Sequence, residues 1–188
     1  MDSVRTLTAF GHISLDGYFV DGHADMSWAH KRDAEWSAFV AENAGSDSEL
    51  VFGRTTYQMM AGYWPTPQAA QATPHVAERM NQTRKIVFSR TLDSAGWNNT
   101  ILVKGDMAAS MRRMKTEAGK PMVILGSGSV VSQLAQAGLI DEFQFVLNPL
   151  ALGAGRTYFD GVKPRLSLTL ARTRAFRNGN VLLCYTRG

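Results

Sequence analysis

Cysteine is nearly absent from this sequence of 188 residues, in which Cys184 is the only one. A single cysteine excludes an intrachain disulfide and a Cys-x-x-Cys metal pair. The four histidines are dispersed along the chain and form no ligand cluster, so no metal site is predicted. They are His12, His23, His30 and His75.

Long apolar runs are missing as well. None approaches the roughly 18 residues that a membrane-spanning helix needs. Residues 1–5 lead directly into strand-like sequence, without an apolar signal segment. Together with the lone cysteine, these absences predict a cytoplasmic protein with no membrane association.

The sequence has no strong excess of charge of one sign. It contains 20 Lys and Arg against 16 Asp and Glu, a formal net charge of +4. Nucleic-acid-binding proteins usually concentrate basic residues on one face or stripe, whereas here they are dispersed. The small cluster at residues 112–115 is typical of the solvated face of a helix. We therefore expect no nucleic-acid partner, and a pocket for a polyanionic cofactor would account for the small positive excess.

Residue periodicity predicts strands alternating with helices, followed by a hairpin. Strands are predicted at residues 6–13, 49–52, 85–88, 100–104, 121–125, 142–147, 167–175 and 181–186. Helices are predicted at residues 33–43, 55–60, 74–81, 106–118 and 128–137, with Thr73 as an N-cap and Gly45, Gly119 and Gly138 as stops. Residues 14–28 and 153–155 are predicted loops, and no linker or repeat interrupts the chain. The pattern predicts one α/β domain over residues 1–188 with a mixed, mostly parallel sheet and a C-terminal antiparallel hairpin.

The most informative motif is Gly126-Ser127-Gly128, which follows an apolar run and precedes an amphipathic segment. Such a strand-to-helix turn leaves the first N–H groups of the helix without partners, and these groups and the helix dipole both attract anions. Glycines also let a phosphate approach the backbone closely. The motif predicts a phosphate-bearing ligand, although a tight turn for close helix–strand packing is the alternative reading.

Two common phosphate-binding motifs are excluded by the surrounding sequence. The dinucleotide fingerprint needs a third glycine, where this chain has Val131, and it normally opens a winding domain rather than preceding a terminal hairpin. A Walker loop needs a Gly-Lys-Ser/Thr sequence, which does not follow here.

Two further strand ends repeat this chemistry. Residues 53–56 combine a glycine, an arginine and two hydroxyls, and Ser89 and Arg90 follow the next predicted strand. Arginine can bind a phosphate through two parallel hydrogen bonds. Ligands of open sheets bind outside the carboxyl ends of the strands, so these segments predict one shared cleft. For each arginine alone, an ordinary surface position is the alternative.

Five short motifs occur in the order found in the dihydrofolate reductase-like superfamily, and the chain resembles that superfamily over essentially its whole length. The motifs are Ser14-Leu15-Asp16-Gly17, Gly53-Arg54-Thr55-Thr56-Tyr57, Val87-Phe88-Ser89-Arg90, Ile124-Leu125-Gly126-Ser127-Gly128 and Asp141-Glu142-Phe143 with the later Asn148-Pro149 and Leu152-Gly153-Ala154-Gly155. The strongest resemblance is to the C-terminal reductase domain of the bacterial riboflavin-biosynthesis deaminase-reductase, in stand-alone form. It implies a three-layer dihydrofolate reductase-like fold, NADPH as hydride donor and a homodimer.

The resemblance also implies roles for individual residues. Gly53, Arg54, Thr55 and Thr56 would hold the cofactor's phosphates, Ser89 and Arg90 would meet the adenosine ribose and its 2′-phosphate, and Gly126, Ser127, Gly128 and Ser129 would cradle the pyrophosphate. Residues 14–28 would form the mobile loop beside the nicotinamide. One departure is that dihydrofolate reductases have paired glycines joined by a cis peptide where this chain has Gly126-Ser127. A cis bond between non-proline residues costs about 2.5–4 kcal/mol, so the sequence leaves this geometry open.

Two carboxylates are candidate catalytic residues. In dihydrofolate reductases a carboxylate on the first helix, shortly after a loop tryptophan, binds the pterin, and Trp28 followed by Asp33 matches that order. The alternative is that Asp33 caps the helix. Asp16 would lie near the cofactor by the same resemblance, and its alternative is an Asp-Gly turn. Arg156 would close over the substrate or the cofactor.

The resemblance implies an NADPH-dependent oxidoreductase that reduces a small heterocyclic or carbonyl/imine substrate. The nearest named activity is 5-amino-6-(5-phosphoribosylamino)uracil reductase. A dihydrofolate or pterin reductase is one alternative, and a catalytically inactive nucleotide-binding protein is another.

Overall fold

The computed structural model describes residues 5–29, 33–44, 46–163 and 165–188. Two residues of the sequence predictions, His30 and Gly45, lie outside these ranges, as do residues 1–4 at the start of the chain.

The described chain forms ten strands and six α-helices, plus a 3-10 turn at Ser27–Ala29. The strands are β1 (Leu7–Ser14), β2 (Val20–Asp21), β3 (Glu49–Gly53), β4 (Lys85–Phe88), β5 (Thr100–Val103), β6 (Met122–Leu125), β7 (Glu142–Asn148), β8 (Gly155–Arg156), β9 (Leu168–Ala175) and β10 (Val181–Arg187). The helices are α1 (Ala34–Ala44), α2 (Arg54–Tyr63), α3 (Pro67–Ala72), α4 (Pro74–Gln82), α5 (Met107–Thr116) and α6 (Gly128–Gln136).

Eight of the strands form one sheet in the order β5-β4-β3-β6-β1-β7-β10-β9. All neighbouring pairs from β5 to β7 are parallel, and β10 pairs antiparallel with both β7 and β9. This arrangement confirms the predicted mixed, mostly parallel sheet and its C-terminal hairpin. The hairpin turns at Gly179, whose φ of 88° suits glycine.

Helices cover both faces of the sheet. Successive residues of a strand point to opposite faces, and here they enter different core clusters: Val51 packs with residues of α5 and α6, whereas Phe52 packs with Tyr57 of α2 and Met80 of α4. Burial on both faces explains why β3 and β4 are nearly continuous apolar runs. The result is the predicted three-layer architecture.

Three features differ from the sequence predictions. Helix α3 was not predicted, because its six residues are too few to show a period. The two-stranded ribbon of β2 and β8 lies in the predicted loops, and it forms by pairing between distant parts of the chain. Thr73 is the N-cap residue of α4, as predicted, but its side chain makes no capping bond, so the start of α4 relies on Pro74.

Candidate active site

A large cleft of about 1220 Å³ opens at the carboxyl ends of the parallel strands. It is lined by segments that follow β3, β4 and β6 and by the end of β1. All of the predicted cofactor-binding residues line it: Gly53, Arg54, Thr55, Thr56, Ser89, Arg90, Gly126, Ser127, Gly128 and Ser129. The fold thus brings together residues that the sequence separates, while their binding role stays a prediction.

The cleft enters the sheet beside β1. This strand pairs with β6 only as far as Phe10, opposite Leu125, but it pairs with β7 as far as Ser14. The last part of β1 therefore has no strand neighbour on the β6 side, and Gly11 and His12 line the cleft there. A crevice at the carboxyl edge of the strands is where open α/β sheets bind ligands.

Two helices begin side by side at this edge. The N-cap residue of α2 is Gly53 and that of α6 is Ser127, and neither makes a side-chain capping bond. The first N–H groups of an uncapped helix have no intrahelical partner. A Cβ on Gly53 would lie 3.9 Å from Ser129 Oγ, and one on Gly126 would lie 3.9 Å from Thr56 Oγ1. The two helix starts consequently combine their positive ends at one place.

By contrast, the other helix starts around the cleft carry side-chain caps. The Asp106 carboxylate accepts a hydrogen bond from the Ala109 amide at 2.8 Å at the start of α5. Asp33 does the same for α1 through the Trp36 amide, also at 2.8 Å. The free donors are thus concentrated at α2 and α6, which is the arrangement expected of an anion site.

Ser127 holds the turn together through its side chain. Its backbone is left-handed, with φ 57°, which is unfavourable for a residue other than glycine. Its hydroxyl oxygen accepts a hydrogen bond from the Gly53 amide at 3.0 Å and donates one to the Leu125 carbonyl at 3.3 Å. The hydroxyl is therefore engaged within the protein, which leaves the backbone of the turn and of the first turn of α6 to face a ligand.

Three arginines line the cleft, Arg54, Arg90 and Arg156, and all three are exposed. Within the described ranges, neither Arg54 nor Arg90 is in an ion pair with a carboxylate. Arg90 is presented by a turn that Ser89 organises, because the Ser89 hydroxyl oxygen accepts hydrogen bonds from the amides of Thr91 at 3.2 Å and Leu92 at 3.0 Å. The guanidinium groups of Arg54 and Arg90 are thus available to an anionic ligand.

Asp33 has the capping role that the sequence left as one alternative, and its catalytic role stays a prediction. Its Oδ1 caps α1, whereas its Oδ2 is buried and has no hydrogen-bond partner among the described residues. Asp33 is not itself a lining residue, but Trp36 on the next turn of α1 lines the cleft and packs at 5.4 Å against the ring of His12. An unpaired buried carboxylate oxygen is costly, so this position calls for a partner.

Asp16 lies outside the lining of the cleft and joins two loops. Its carboxylate accepts a hydrogen bond from Ser14 Oγ at 2.6 Å and others from the amides of Leu152 at 3.1 Å and Gly153 at 2.7 Å. These donors, the Ser14 hydroxyl foremost, lower the pKa of Asp16 to about 2. Its observed role is a cross-link between loops, and its catalytic role stays a prediction.

Sequence reasoning missed an aromatic wall of the cleft. The ring of Phe19 stacks on Tyr158 at 4.5 Å, and the Arg156 guanidinium lies 5.5 Å from the Phe19 ring centre. Phe19 also packs against Gly128, where a Cβ would overlap its ring. The glycine was a visible signal, because it permits close approach, but the sequence does not show which distant ring approaches.

No group of three or more His, Cys, Asp or Glu side chains in the described ranges is arranged to hold a metal ion. Among the described helices, none is long and apolar enough to cross a membrane.

Comparison with known proteins places this geometry in a family. The sequence model of the RibD C-terminal domain family matches residues 5–182 of this chain. The chain is 25% identical over 174 residues to the uncharacterized protein YyaP of Bacillus subtilis (strain 168), covering 92% of this chain and 90% of YyaP. This chain belongs to the RibD C-terminal domain family.

Solved structures share its fold. A diaminohydroxyphosphoribosylaminopyrimidine deaminase/5-amino-6-(5-phosphoribosylamino)uracil reductase from Thermotoga maritima superposes with a TM-score of 0.69 at 15% identity, covering 98% of this chain and 57% of that one. Dihydrofolate reductase from Enterococcus faecalis, complexed with NADP(H) and RAB-propyl, superposes with a TM-score of 0.63 at 16% identity, covering 97% of this chain and 96% of the other. The fold is therefore dihydrofolate reductase-like, as the sequence resemblance implies.

Proposed function

We propose that this protein is an NADPH-dependent reductase that transfers a hydride to a small heterocyclic or carbonyl/imine substrate, with riboflavin-type pyrimidine reduction as the nearest activity. One observation carries the proposal: the uncapped starts of α2 and α6 meet in one cleft beside two unpaired arginines. Membership of the RibD C-terminal domain family supports a reductase. The similarity of the fold to a dihydrofolate reductase crystallised with NADP(H) supports the cofactor.

The residues present fit a dinucleotide with several phosphates. The first amides of α6 and the hydroxyls of Thr55 and Thr56 would hold the pyrophosphate, and Arg54 would neutralise it. A Cβ on Gly53 would lie only 3.2 Å from Val130 Cγ2, so glycine at this position lets the start of α6 pack closely against the end of β3.

Arg90 would select NADPH over NADH. It follows β4, the strand beyond β3 in the sheet, so it lies toward the edge of the cleft away from β1. The cofactor's adenosine half would extend in that direction if its other half enters the slot beside β1. A guanidinium there would pair with the 2′-phosphate, which NADH lacks.

When bound, NADPH supplies the hydride, and the protein's residues fix its orientation and keep water away. Phe19 and Trp36 give the slot beside β1 apolar walls. His12 also lines this slot, and its Nδ1 lies 3.3 Å from Asn148 Nδ2, an amide that donates to the carbonyls of Val146 and Ile13. These carbonyls take both hydrogens of the amide, so the orientation of the imidazole would rest on its packing against the Trp36 ring, at 5.4 Å between ring centres.

Reduction of a pterin is a second candidate, favoured by Asp33. The Oδ2 of this residue has no hydrogen-bond partner among the described residues, and it would accept hydrogen bonds from the amino group and ring N–H of a pterin if the start of α1 moved to expose it to the cleft, which Asp33 does not line in this structure. A screen of pyrimidines, pterins and small carbonyl compounds for oxidation of NADPH separates the candidates. Binding of NADPH with no substrate reduced would instead favour an inactive nucleotide-binding protein.

We also propose that the protein acts in the cytoplasm as a homodimer, as the family resemblance implies. The edge strand β9 is consistent with self-association, because seven of its eight residues are exposed, including Leu170 at 53%. Sedimentation velocity at several concentrations tests the dimer.

A further inference from the structure

Tyr158 places its hydroxyl directly against the backbone of β1. A Cβ on Gly11 would overlap the hydroxyl oxygen and ring of this tyrosine, so the close approach requires glycine at position 11. Gly11 is held in register opposite Phe145 of β7. Both Gly11 and Tyr158 line the cleft, in the slot where β1 has lost its β6 neighbour.

The ring of Tyr158 is fixed on both faces. It stacks on Phe19 at 4.5 Å with an interplanar angle of 24°, and on Phe145 at 5.0 Å with an angle of 22°. Phe19 in turn packs against Gly128 at the start of α6. A single ring thus separates Tyr158 from the predicted pyrophosphate cradle, so the tyrosine lies where the reactive end of the cofactor and the substrate would meet.

Tyr158 as a whole is only 2% exposed, and its hydroxyl makes no hydrogen bond with the other described residues. The hydroxyl oxygen is not among the fully buried unpartnered atoms, so it is accessible from the cleft that the residue lines. The buried Tyr57 is a direct comparison, since its hydroxyl oxygen accepts a hydrogen bond from the Trp97 amide at 3.0 Å. Tyr158 therefore holds a rigidly placed polar group whose partner must come from what occupies the cleft.

We propose that the Tyr158 hydroxyl donates a hydrogen bond to an amide-type carbonyl of the bound ligands, next to the site of hydride transfer. This inference rests on the proposed function. The carbonyl belongs either to the nicotinamide carboxamide or to a lactam or amide of the substrate, which share this chemistry. Burial raises the pKa of Tyr158 well above its usual range, so the proton stays on the hydroxyl and the residue acts as a neutral donor.

Tyr158→Phe tests the proposal, because it keeps the stacked ring and removes only the hydroxyl. The dissociation constant of NADPH and the kcat and KM of the best substrate are measured for the wild type and the variant. We expect the affinity for the partner ligand to fall about tenfold, roughly what one hydrogen bond contributes. A raised dissociation constant for NADPH identifies the carboxamide as the partner, and a raised KM with unchanged NADPH affinity identifies the substrate.

The control is Tyr185→Phe, a hydroxyl deletion on β10 outside the lining of the cleft, which should change neither constant. Unchanged constants in Tyr158→Phe would overturn the inference alone, whereas a wild type that binds no NADPH would overturn the proposed function as well. A lower melting temperature of ligand-free Tyr158→Phe would also overturn the inference, because the hydroxyl would then have a partner within the protein. Gly11→Ala, which displaces the hydroxyl, should reproduce the loss seen in Tyr158→Phe.

Discussion

The hydroxyl oxygen of Ser127 accepts a hydrogen bond from the amide of Gly53 at 3.0 Å, and this bond is buried. The two residues are the N-caps of α6 and α2. One side chain therefore fixes the distance between the two helix starts on which the proposed phosphate site depends. It also stabilises a left-handed serine backbone that would otherwise be unfavourable.

Replacing Ser127 by Ala should destabilise the protein and weaken NADPH binding together. The buried Gly53 amide would lose its acceptor, which costs about 1–3 kcal/mol. Urea unfolding measures the loss, and titration of tryptophan fluorescence measures the affinity. Ser129→Ala is the matched control for stability, because Ser129 lies in the first turn of α6 and is exposed. Equal stability of the two variants would contradict the role assigned to the Ser127 hydroxyl.

Arg90→Ala should weaken NADPH binding about tenfold or more, because it removes a charge-assisted bond to the 2′-phosphate. Binding of NADH should change little. Calorimetric titration with both cofactors gives the comparison, and Arg112→Ala, an exposed arginine outside the cleft, is the control. An equal loss of affinity for NADPH and NADH would show that Arg90 does not bind the 2′-phosphate.

Asp33→Asn should lower kcat while leaving NADPH affinity and the melting temperature nearly unchanged. Asparagine caps a helix about as well as aspartate, so α1 keeps its cap. What changes is the charge at the buried Oδ2 position, which has no partner among the described residues. Steady-state kinetics on the best substrate measure kcat for the wild type and the variant. An unchanged kcat would show that Asp33 acts only as a capping residue.

Lys85 should make the stability depend on pH in the alkaline range. Its ammonium group is buried, donates to the carbonyls of Thr83 at 2.6 Å and Asn98 at 2.9 Å, and lies 4.3 Å from the Trp97 ring centre. Burial lowers the pKa of Lys85 from 10.5 to about 8. Between these values the unfolded chain binds the proton and the folded one does not, so the free energy of unfolding should rise with pH in this window.

The comparison for this prediction is Lys85→Met, measured by urea unfolding at several pH values from 7 to 10.5, the upper end being the ordinary lysine pKa. The other titrating groups are common to both proteins, so the difference in the free energy of unfolding between the wild type and Lys85→Met reports the contribution of Lys85. A difference that stays constant with pH would show that the lysine keeps its ordinary pKa in the folded state.

Much of the fold could be predicted because its signals are local. The apolar runs of β3 and β4 reflect burial on both faces, and the Asn178-Gly179 turn fixes the hairpin within a few residues. The cofactor segments also followed from local patterns, since the carboxyl ends of parallel strands share one edge. The prediction of a single domain over residues 1–188 stays a prediction.

What could not be predicted depends on contacts between distant residues. Asp16 reads locally as part of an Asp-Gly turn, yet its carboxylate accepts hydrogen bonds from amides as far as 137 residues away. The stack of Phe19, Tyr158 and Phe145 likewise joins three separate parts of the chain. Periodicity assigns such residues to a core, but it does not say that one of them brings a hydroxyl into the cleft.

Addition of NADPH to the wild-type protein tests the central claim most directly. Trp36 and Trp64 line the cleft, so binding should quench tryptophan fluorescence. It should also stabilise the folded state, by about 2.7 kcal/mol at a hundredfold excess over the dissociation constant, and so raise the melting temperature. Saturable quenching with a higher melting temperature is the predicted result, and the absence of both at millimolar NADPH would contradict the account.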